Sequence, residues 1–411
     1  MGGLKIGQVM THVDPSAMEP LHPEPGPLEE PALALLSEAS ALGGQIHPVT
    51  RLAVTDLLRT INTYHSNLIE GHNTLPRDIE RALAGRLSAS PERRALQVEA
   101  RAHVEVQRLV EERLQAEAPP AITSADFFCI IHREFYERMP PAWRVVRDPD
   151  GTRERPVIPG RLREEEGQVG RHVPPPADTV AAFLESFGRA YDPAHLSGLA
   201  RILAIGASHH RLLWIHPFLD GNGRVARLFS DAYLRVAGLG GHGLWTVARG
   251  LARQRSGYLE ALAAADAERW NDYEGRGARS RTALTAFTRF FLDTCLDQVR
   301  FMASLLELDG LLARVEDYVE RRKRGGLGPK MAGEARHLLA TALLQGSFAR
   351  GDAARITGQS ERTARRILSQ LVGEGLLLSD APKGPVRLGL PMRVVGFYFP
   401  HLFPQDVMGE R

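Results

Sequence analysis

The sequence predicts a mainly α-helical protein of more than one domain, and three observations carry that expectation. Apolar residues recur at three- and four-residue intervals through most of the 411 positions. The long stretch without that period, residues 144–180, is rich in Gly and Pro and holds only short Val and Ile pieces, the pattern of a loop carrying a small β-hairpin. Beyond about residue 328, three short helical patterns precede two strand-like runs, which is the order of a winged helix.

Residues 1–31 are crowded with Pro and Glu ("DPSAMEPLHPEPGPLEEP") and read as a disordered tail or a strap. An N-terminal helical region follows over 32–122. In "TRLAVTDLLRTINTYHSNLIEG", Leu52, Val54, Leu57, Leu58 and Ile61 fall at helical intervals and Gly71 stands where a helix would stop. "ALQVEARAHVEVQRLVEERLQ" is a second amphipathic helix. "SADFFCIIHREFYERM" opens a third, with Ser124 as its cap, and with it a core expected over 123–320.

After the 144–180 loop, helical patterns resume in "AAFLESFGRAY", "LSGLARILAIGASHHRLLWI", "VARLFSDAYLRVAG" and "GYLEALAAADAERW". A long stretch from Ala283 to Lys323 continues them. "RRKRGGLGPK", 321–330, has the wrong spacing for a phosphate loop and no strand before it, so it reads as a linker. The winged-helix pattern occupies 328–400. Its third helix turns Ala364, Ile367, Leu368 and Leu371 to one side and stops at Gly375, and "LLLSDAPKGPVRLGL" supplies two strands around a Gly-Pro turn.

Composition narrows the function classes. Hydrophobic content of 43% and charged content of 24% suit a soluble globular chain. No apolar run approaches the ~18 residues of a membrane span. The start "MGGLKIGQVMTHVD" lacks a signal-peptide core and has Ile6 where a myristoylation signal needs Ser or Thr. Cys129 and Cys295 make no disulfide framework, so a cytoplasmic location is expected. A net charge of +2 is too mild to mark the whole chain as a nucleic-acid binder.

The densest chemistry lies in "WIHPFLDGNGRVARLF", Trp214 to Phe229. Gly221, Asn222 and Gly223 open an amphipathic helix whose apolar side is Val225, Leu228, Phe229 and Leu234. The first amides of a helix have no partner within it, and glycines let the backbone close on an anion. With the helix dipole they form a phosphate site. Arg224 and Arg227, three apart, leave one face of that helix, and guanidinium groups meet phosphate oxygens two at a time. Asp220 is a hard oxygen ligand suited to Mg²⁺. His216, with an ordinary imidazole pKa near ~6.5, is the expected general base. Pro217 and Phe218 would anchor the loop. Each part alone is commonplace, since a His before Pro is usually structural and a GNG is often only a turn. Their conjunction within twelve residues points to nucleotide chemistry.

"HPFLDGNGRVAR", His216–Arg227, resembles the Fic (Fido) family motif HxFx(D/E)GNGRxxR at every fixed position. The resemblance implies a Fic-type helical core that uses ATP with Mg²⁺ to move AMP onto a Ser, Thr or Tyr hydroxyl of a protein, itself included. It implies that His216 takes the hydroxyl proton and Asp220 holds the metal. The amides of 221–223 and Arg224 would cradle the α- and β-phosphates, and Arg227 would grip the γ-phosphate. Gly223, kept here, is where the Doc-type kinase branch departs, which favours AMP transfer over phosphorylation. "PGRLREEEGQVGRHVPPP" resembles the family's flap hairpin, with Gly167, Gln168, Val169 and Gly170 beside nucleotide and target, where an edge strand can pair with an extended segment.

"SNLIEG" fits the family's inhibitory pattern (S/T)xxxE(G/N) through Ser66 and Glu70, and implies that Glu70 pairs with Arg227 and denies it to the γ-phosphate. A carboxylate–guanidinium contact is worth ~1 kcal/mol in water and ~4 kcal/mol at an effective dielectric of ~20, so repression of roughly ten- to a thousandfold is expected. Relatives place an aromatic pair and a downstream Asn near the adenine. Here Tyr258 is present, but Gly257 precedes it and Ala265 stands where the Asn would fall. His209 and His210 near His216 lack the thiol or second carboxylate of a zinc site, and packing is expected of them.

Two other functions are compatible with the same residues. One is removal of AMP from proteins, with Glu70 orienting a water. The other is DNA contact through residues 350–395, where Arg355, Arg362, Arg365 and Arg366 outnumber Glu361. A homodimer is admitted by the sequence but not specified by it.

Overall fold

A computed structural model describes residues 14–147, 154–168, 172–325 and 327–404. The fold is mainly helical, with two small antiparallel sheets. The chain divides into two compact units, each assembled from separate stretches of sequence.

The first unit comprises the described parts of Met1–Glu29, Glu117–Ser230 and Ser256–Phe290. Ala125–Glu137 begins at Ser124, whose hydroxyl accepts from the Phe127 amide at 3.2 Å, as the cap rule requires. Val180–Tyr191 and Gly198–Ile215 follow, then the helix Asn222–Val236. Phe128, Phe187 and Phe229 are fully buried; Phe128 meets the other two edge to face at 5.5 and 5.2 Å, and Phe187 and Phe229 are tilted with centroids 5.8 Å apart. Such pairs add about 1 kcal/mol each beyond the area they bury.

Residues 14–28 take the strap form of the two expected for them. Met18 and Leu28 are buried, and Arg211 and Arg279 donate to the carbonyls of Pro20 (2.9 Å) and Ala17 (3.2 Å). The hairpin pairs Val145–Arg147 with Glu154–Pro156, Val146 opposite Arg155. The flap was expected later, around Gly167–Gly170. Gly167 and Gln168 are exposed and form no strand, and Val169 and Gly170 lie outside the described residues. The paired segments are instead the β-branched and extended runs on either side of the "DPDG" turn signal.

The second unit comprises Glu30–Ala116, Asp231–Arg255 and the described part of Phe291–Arg411. Its helix Pro48–Ile69 starts two residues before the expected Thr50, because Pro48 occupies the first turn, where its missing N–H costs nothing. The Ala283–Lys323 stretch is two helices, Arg281–Leu306 and Leu308–Arg324. Glu307 separates them by capping the second, accepting from Asp309 and Gly310 amides at 3.1 and 2.7 Å. A polar cluster is buried between helices: Asn62 donates to Gln107 and Asp231 at 2.8 Å each and accepts from Thr246 at 2.6 Å. Buried polar groups persist only when paired in this way.

From Ala335 the order is helix (Ala335–Gln345), strand (Ser347–Phe348), helices (Ala353–Thr357 and Glu361–Gly373), then strands Leu377–Leu378 and Val386–Leu388. Val386–Leu388 is the central strand of the three. Ala364, Ile367, Leu368 and Leu371 are buried, the face that the periodicity predicts. A further helix, Met392–Tyr398, follows the sheet.

Candidate active site

Gly198–Ile215 ends at His216, which adopts a left-handed conformation (φ 50°, ψ 61°) while its amide still bonds the Leu212 carbonyl at 3.1 Å. A non-glycine residue held there costs about 1–3 kcal/mol and persists only where its surroundings dictate it. Arg163 supplies those surroundings. Its guanidinium donates to the carbonyls of His216 (2.8 Å), Ile215 (3.4 Å), Glu165 (3.3 Å) and Pro175, and its amide donates to Pro217 O at 2.9 Å. The Arg163 side chain is buried, and burial pulls its pKa below the usual guanidinium value.

Burial likewise brings the His216 imidazole down to about 4, with the nearby His172 and Arg163 charges acting the same way and Asp220 opposing them. The ordinary value expected from sequence is thus corrected: near neutral pH the ring is uncharged. With the ring neutral, one of its two nitrogens keeps a lone pair, the state a proton acceptor needs.

The turn after His216 is closed by its own side chains. Asn222 Nδ2 donates to Phe218 O at 2.8 Å, and its Oδ1 accepts from the Phe218 amide at 2.9 Å. The Asn222 side chain therefore clasps the loop, which leaves only its backbone for a ligand. Phe218 is fully buried, stacked on His132 with centroids 4.1 Å apart and planes within 7°. His132 accepts from the Gly160 amide through Nδ1 at 2.8 Å and reaches Asp220 O through Nε2 at 3.2 Å. Burial brings its pKa to about 4, so it is a neutral Nε2–H tautomer that donates to that carbonyl.

Gly221 sits at φ +82°, and a Cβ there would lie 2.8 Å from Cε2 of Tyr136. The same Tyr136 donates its hydroxyl to Asp220 Oδ2 at 2.6 Å. Asp220 is otherwise exposed, so its carboxylate is oriented yet open to solvent. That suits Mg²⁺, which binds through one or two carboxylates together with substrate phosphates. Among the described residues no group of three or more His, Cys, Asp or Glu could hold a metal by itself.

Arg224 and Arg227 are buried on the first turns of Asn222–Val236, with Arg224 5.2 Å above the Phe135 ring. His209 and His210 pack as expected. His209 bridges Ser230 Oγ and Tyr258 OH at 2.7 Å each, and His210 meets Asp266 at 3.1 Å. Tyr258, expected beside a base, is 2% exposed with its hydroxyl committed to His209, so it offers no ring face to a ligand in this arrangement.

Ser66 is buried on Pro48–Ile69, and Glu70 is the exposed residue that caps that helix's C-terminus; both belong to the second unit. Among the described residues no helix is long and apolar enough to cross a membrane. Three positioning residues escaped the sequence reading: Arg163, His132 and Tyr136. A signal for two of them exists, since His132 and Tyr136 lie four apart on the same stripe as Phe128, Ile131 and Phe135, where an apolar residue is the usual choice.

Residues 121–234 match the family model described as Fic/DOC family, a stretch that includes the whole His216–Arg227 motif. Over 83 residues the chain is 36% identical to protein adenylyltransferase Fic of Drosophila erecta and 37% identical to that of Drosophila persimilis, 20% of this chain in each case. The match spans 17% and 16% of those relatives' own lengths, about a sixth. The solved structure of Fic-1 (aa134 - 508) from C. elegans superposes with a TM-score of 0.50 at 16% identity, over 68% of this chain and 72% of that one. That likeness concerns the fold. The match to the Fic/DOC family model is thus confined to 121–234, within a mainly helical chain.

Proposed function

We propose that this chain is a protein adenylyltransferase that moves AMP from Mg-ATP to a hydroxyl group of a protein, itself included. The observation that carries the reading is the pairing of a neutral imidazole, fixed at His216 by Arg163, with a glycine-opened helix start bearing Arg224 and Arg227. The names of the matched relatives point the same way.

In the reaction the target hydroxyl oxygen forms a bond to the α-phosphorus as the bond from that phosphorus to the α,β-bridging oxygen breaks. The hydroxyl proton passes to the lone pair of His216, and pyrophosphate leaves. The amides of 221–223 and Arg224 bind the α- and β-phosphates, and Arg227 binds the γ-phosphate. Bound Mg²⁺, held on Asp220, would neutralise phosphate charge. Oriented donors of this kind contribute most where negative charge develops.

The test uses ATP labelled either at the α- or at the γ-phosphorus. Label from the α-position should appear on protein and that from the γ-position should not, and His216→Ala should remove the signal. Transfer of the γ-label would make the chain a kinase and end this reading.

Glu70 is proposed as a restraint on the same reaction. Glu70→Gly should raise labelling roughly ten- to a thousandfold. A Glu70→Gly protein no more active than wild type removes the restraint and leaves the transfer reading intact.

A second reading concerns Ala335–Leu388, whose helix–strand–helix–helix–strand–strand order is that of a winged helix. Arg362, Arg365 and Arg366 are exposed on Glu361–Gly373, and among the described residues none of them makes an ion pair. We infer contact with duplex DNA phosphates through that helix. A salt slope near −0.9 per neutralised phosphate, about three in all, is expected in a duplex-binding assay. No binding at low salt would leave the segment to protein contacts.

A further inference from the structure

The second unit holds a cavity of about 730 Å³, walled by the last turn of Pro48–Ile69, the helix Val247–Arg253, Phe301 and residues 401–404. Its size is that of small-molecule sites. The wall has two characters. Leu68, Phe301 and Phe403 are apolar, whereas Arg249, Arg253 and His65 are basic, and no carboxylate is among the described lining residues.

Arg249 is 2% exposed and spends its donors on uncharged acceptors: Leu402 O (3.3 Å), His401 O (2.7 Å) and Gln298 Oε1 (3.0 Å). Its guanidinium also lies 3.5 Å over the Phe301 ring. Asp297 is the acid that favours its charge, but that carboxylate is exposed and accepts from Gln298. Arg253 is exposed and, among the described residues, makes no hydrogen bond or ion pair. Arg253 disfavours the charge of Arg249, and both guanidiniums disfavour protonation of His65.

His65 is 3% exposed and bonds Leu402 O through Nε2 at 3.1 Å. A carbonyl only accepts, so Nε2 carries the proton and Nδ1 is left as an acceptor. That Nδ1 is buried with no partner among the described residues. Positive charge at an apolar wall with no carboxylate among the described lining residues is costly unless something supplies an anion.

We propose that this cavity binds a small organic acid with an apolar body and a carboxylate that pairs with Arg253. The apolar body lies against Leu68, Phe301 and Phe403. No residue of this wall belongs to the His216–Arg227 motif, so the proposal does not depend on the transfer reaction. His65 and Leu68 lie in the turn just before Glu70, so a bound acid would stiffen the helix end that carries the proposed restraint. That consequence rests on the restraint, whereas binding does not.

Calorimetry on the full chain with para-hydroxyphenylpropionate, its methyl ester and inorganic phosphate tests the site. The acid should bind, with the ester and Arg253→Glu each about tenfold weaker and phosphate alone undetected. Ala252→Trp, which fills the cavity from a wall position, should abolish binding. Arg253 is exposed, so its variant should melt like wild type, and a thermal melt of both variants verifies folding. Equal affinity for acid and ester, retention of binding in folded Ala252→Trp, or no heat from the acid up to about 5 mM would each overturn the proposal.

Discussion

Replacing Gly221 by Ala perturbs the turn in two separable ways. The residue sits at φ +82°, where an L side chain costs about 1–2 kcal/mol. Its new Cβ would also stand 2.8 Å from Tyr136 Cε2 and 3.0 Å from the Tyr136 hydroxyl, too close for real carbon contacts. Overpacking of this kind costs about 1–3 kcal/mol more, for a total near 3 kcal/mol. Tyr136 can yield only by withdrawing the hydroxyl that holds Asp220. Chemical denaturation of Gly221→Ala, Tyr136→Ala and the double variant separates the two costs. In the Tyr136→Ala background the glycine replacement should cost only the backbone share, about 1–2 kcal/mol, because the clashing ring is gone. The same cost in both backgrounds would refute the close-approach argument. In an otherwise wild-type chain, Gly221→Ala should also raise the Mg²⁺ concentration needed for activity, since the Asp220 carboxylate loses its tether.

Arg163→Met keeps bulk but removes the donors to four carbonyls, and should cost about 3 kcal/mol in denaturation and roughly a hundredfold in kcat, with KM for ATP moving less. Arg163→Lys should recover part of both, and a Met variant with wild-type kcat would show that the left-handed His216 needs no such clamp. The pH profile of kcat/KM should keep its acid limb at about 4, because burial holds the free enzyme's His216 neutral well below the ordinary imidazole value. The sign for stability is the same: the unfolded imidazole takes its proton near ~6.5 and the folded one near 4, so stability falls as pH drops through that window. An acid limb at the ordinary value would mean that His216 is more solvated than its surroundings imply.

The half of the candidate site proposed to bind phosphate is legible in the sequence because it is contiguous. Gly221 to Arg227 occupy one turn and the start of one helix, so spacing alone says which groups converge. The half that fixes His216 was not legible, because Arg163 is 53 residues from it and Tyr136 is 84 residues from Asp220, joined only by tertiary packing. Periodicity correctly assigned the buried face of Glu361–Gly373, where one amphipathic stripe leaves no alternative. The hairpin expected within 144–180 is formed by Val145–Arg147 and Glu154–Pro156, whereas Gly167 and Gln168, expected in the flap, form no strand. The environment of Tyr258 is not legible in the sequence. Its helix presents it to His209 inside the unit, and only the fold shows which way that helix faces.

The most direct measurement is a crystal structure of the chain with Mg²⁺ and a non-hydrolysable ATP analogue. Phosphate oxygens should lie on the 221–223 amides and the two arginines, with the unprotonated nitrogen of His216 facing the space beside the α-phosphorus. An analogue bound elsewhere, or a His216 ring turned away from that phosphorus, would contradict the transfer reading.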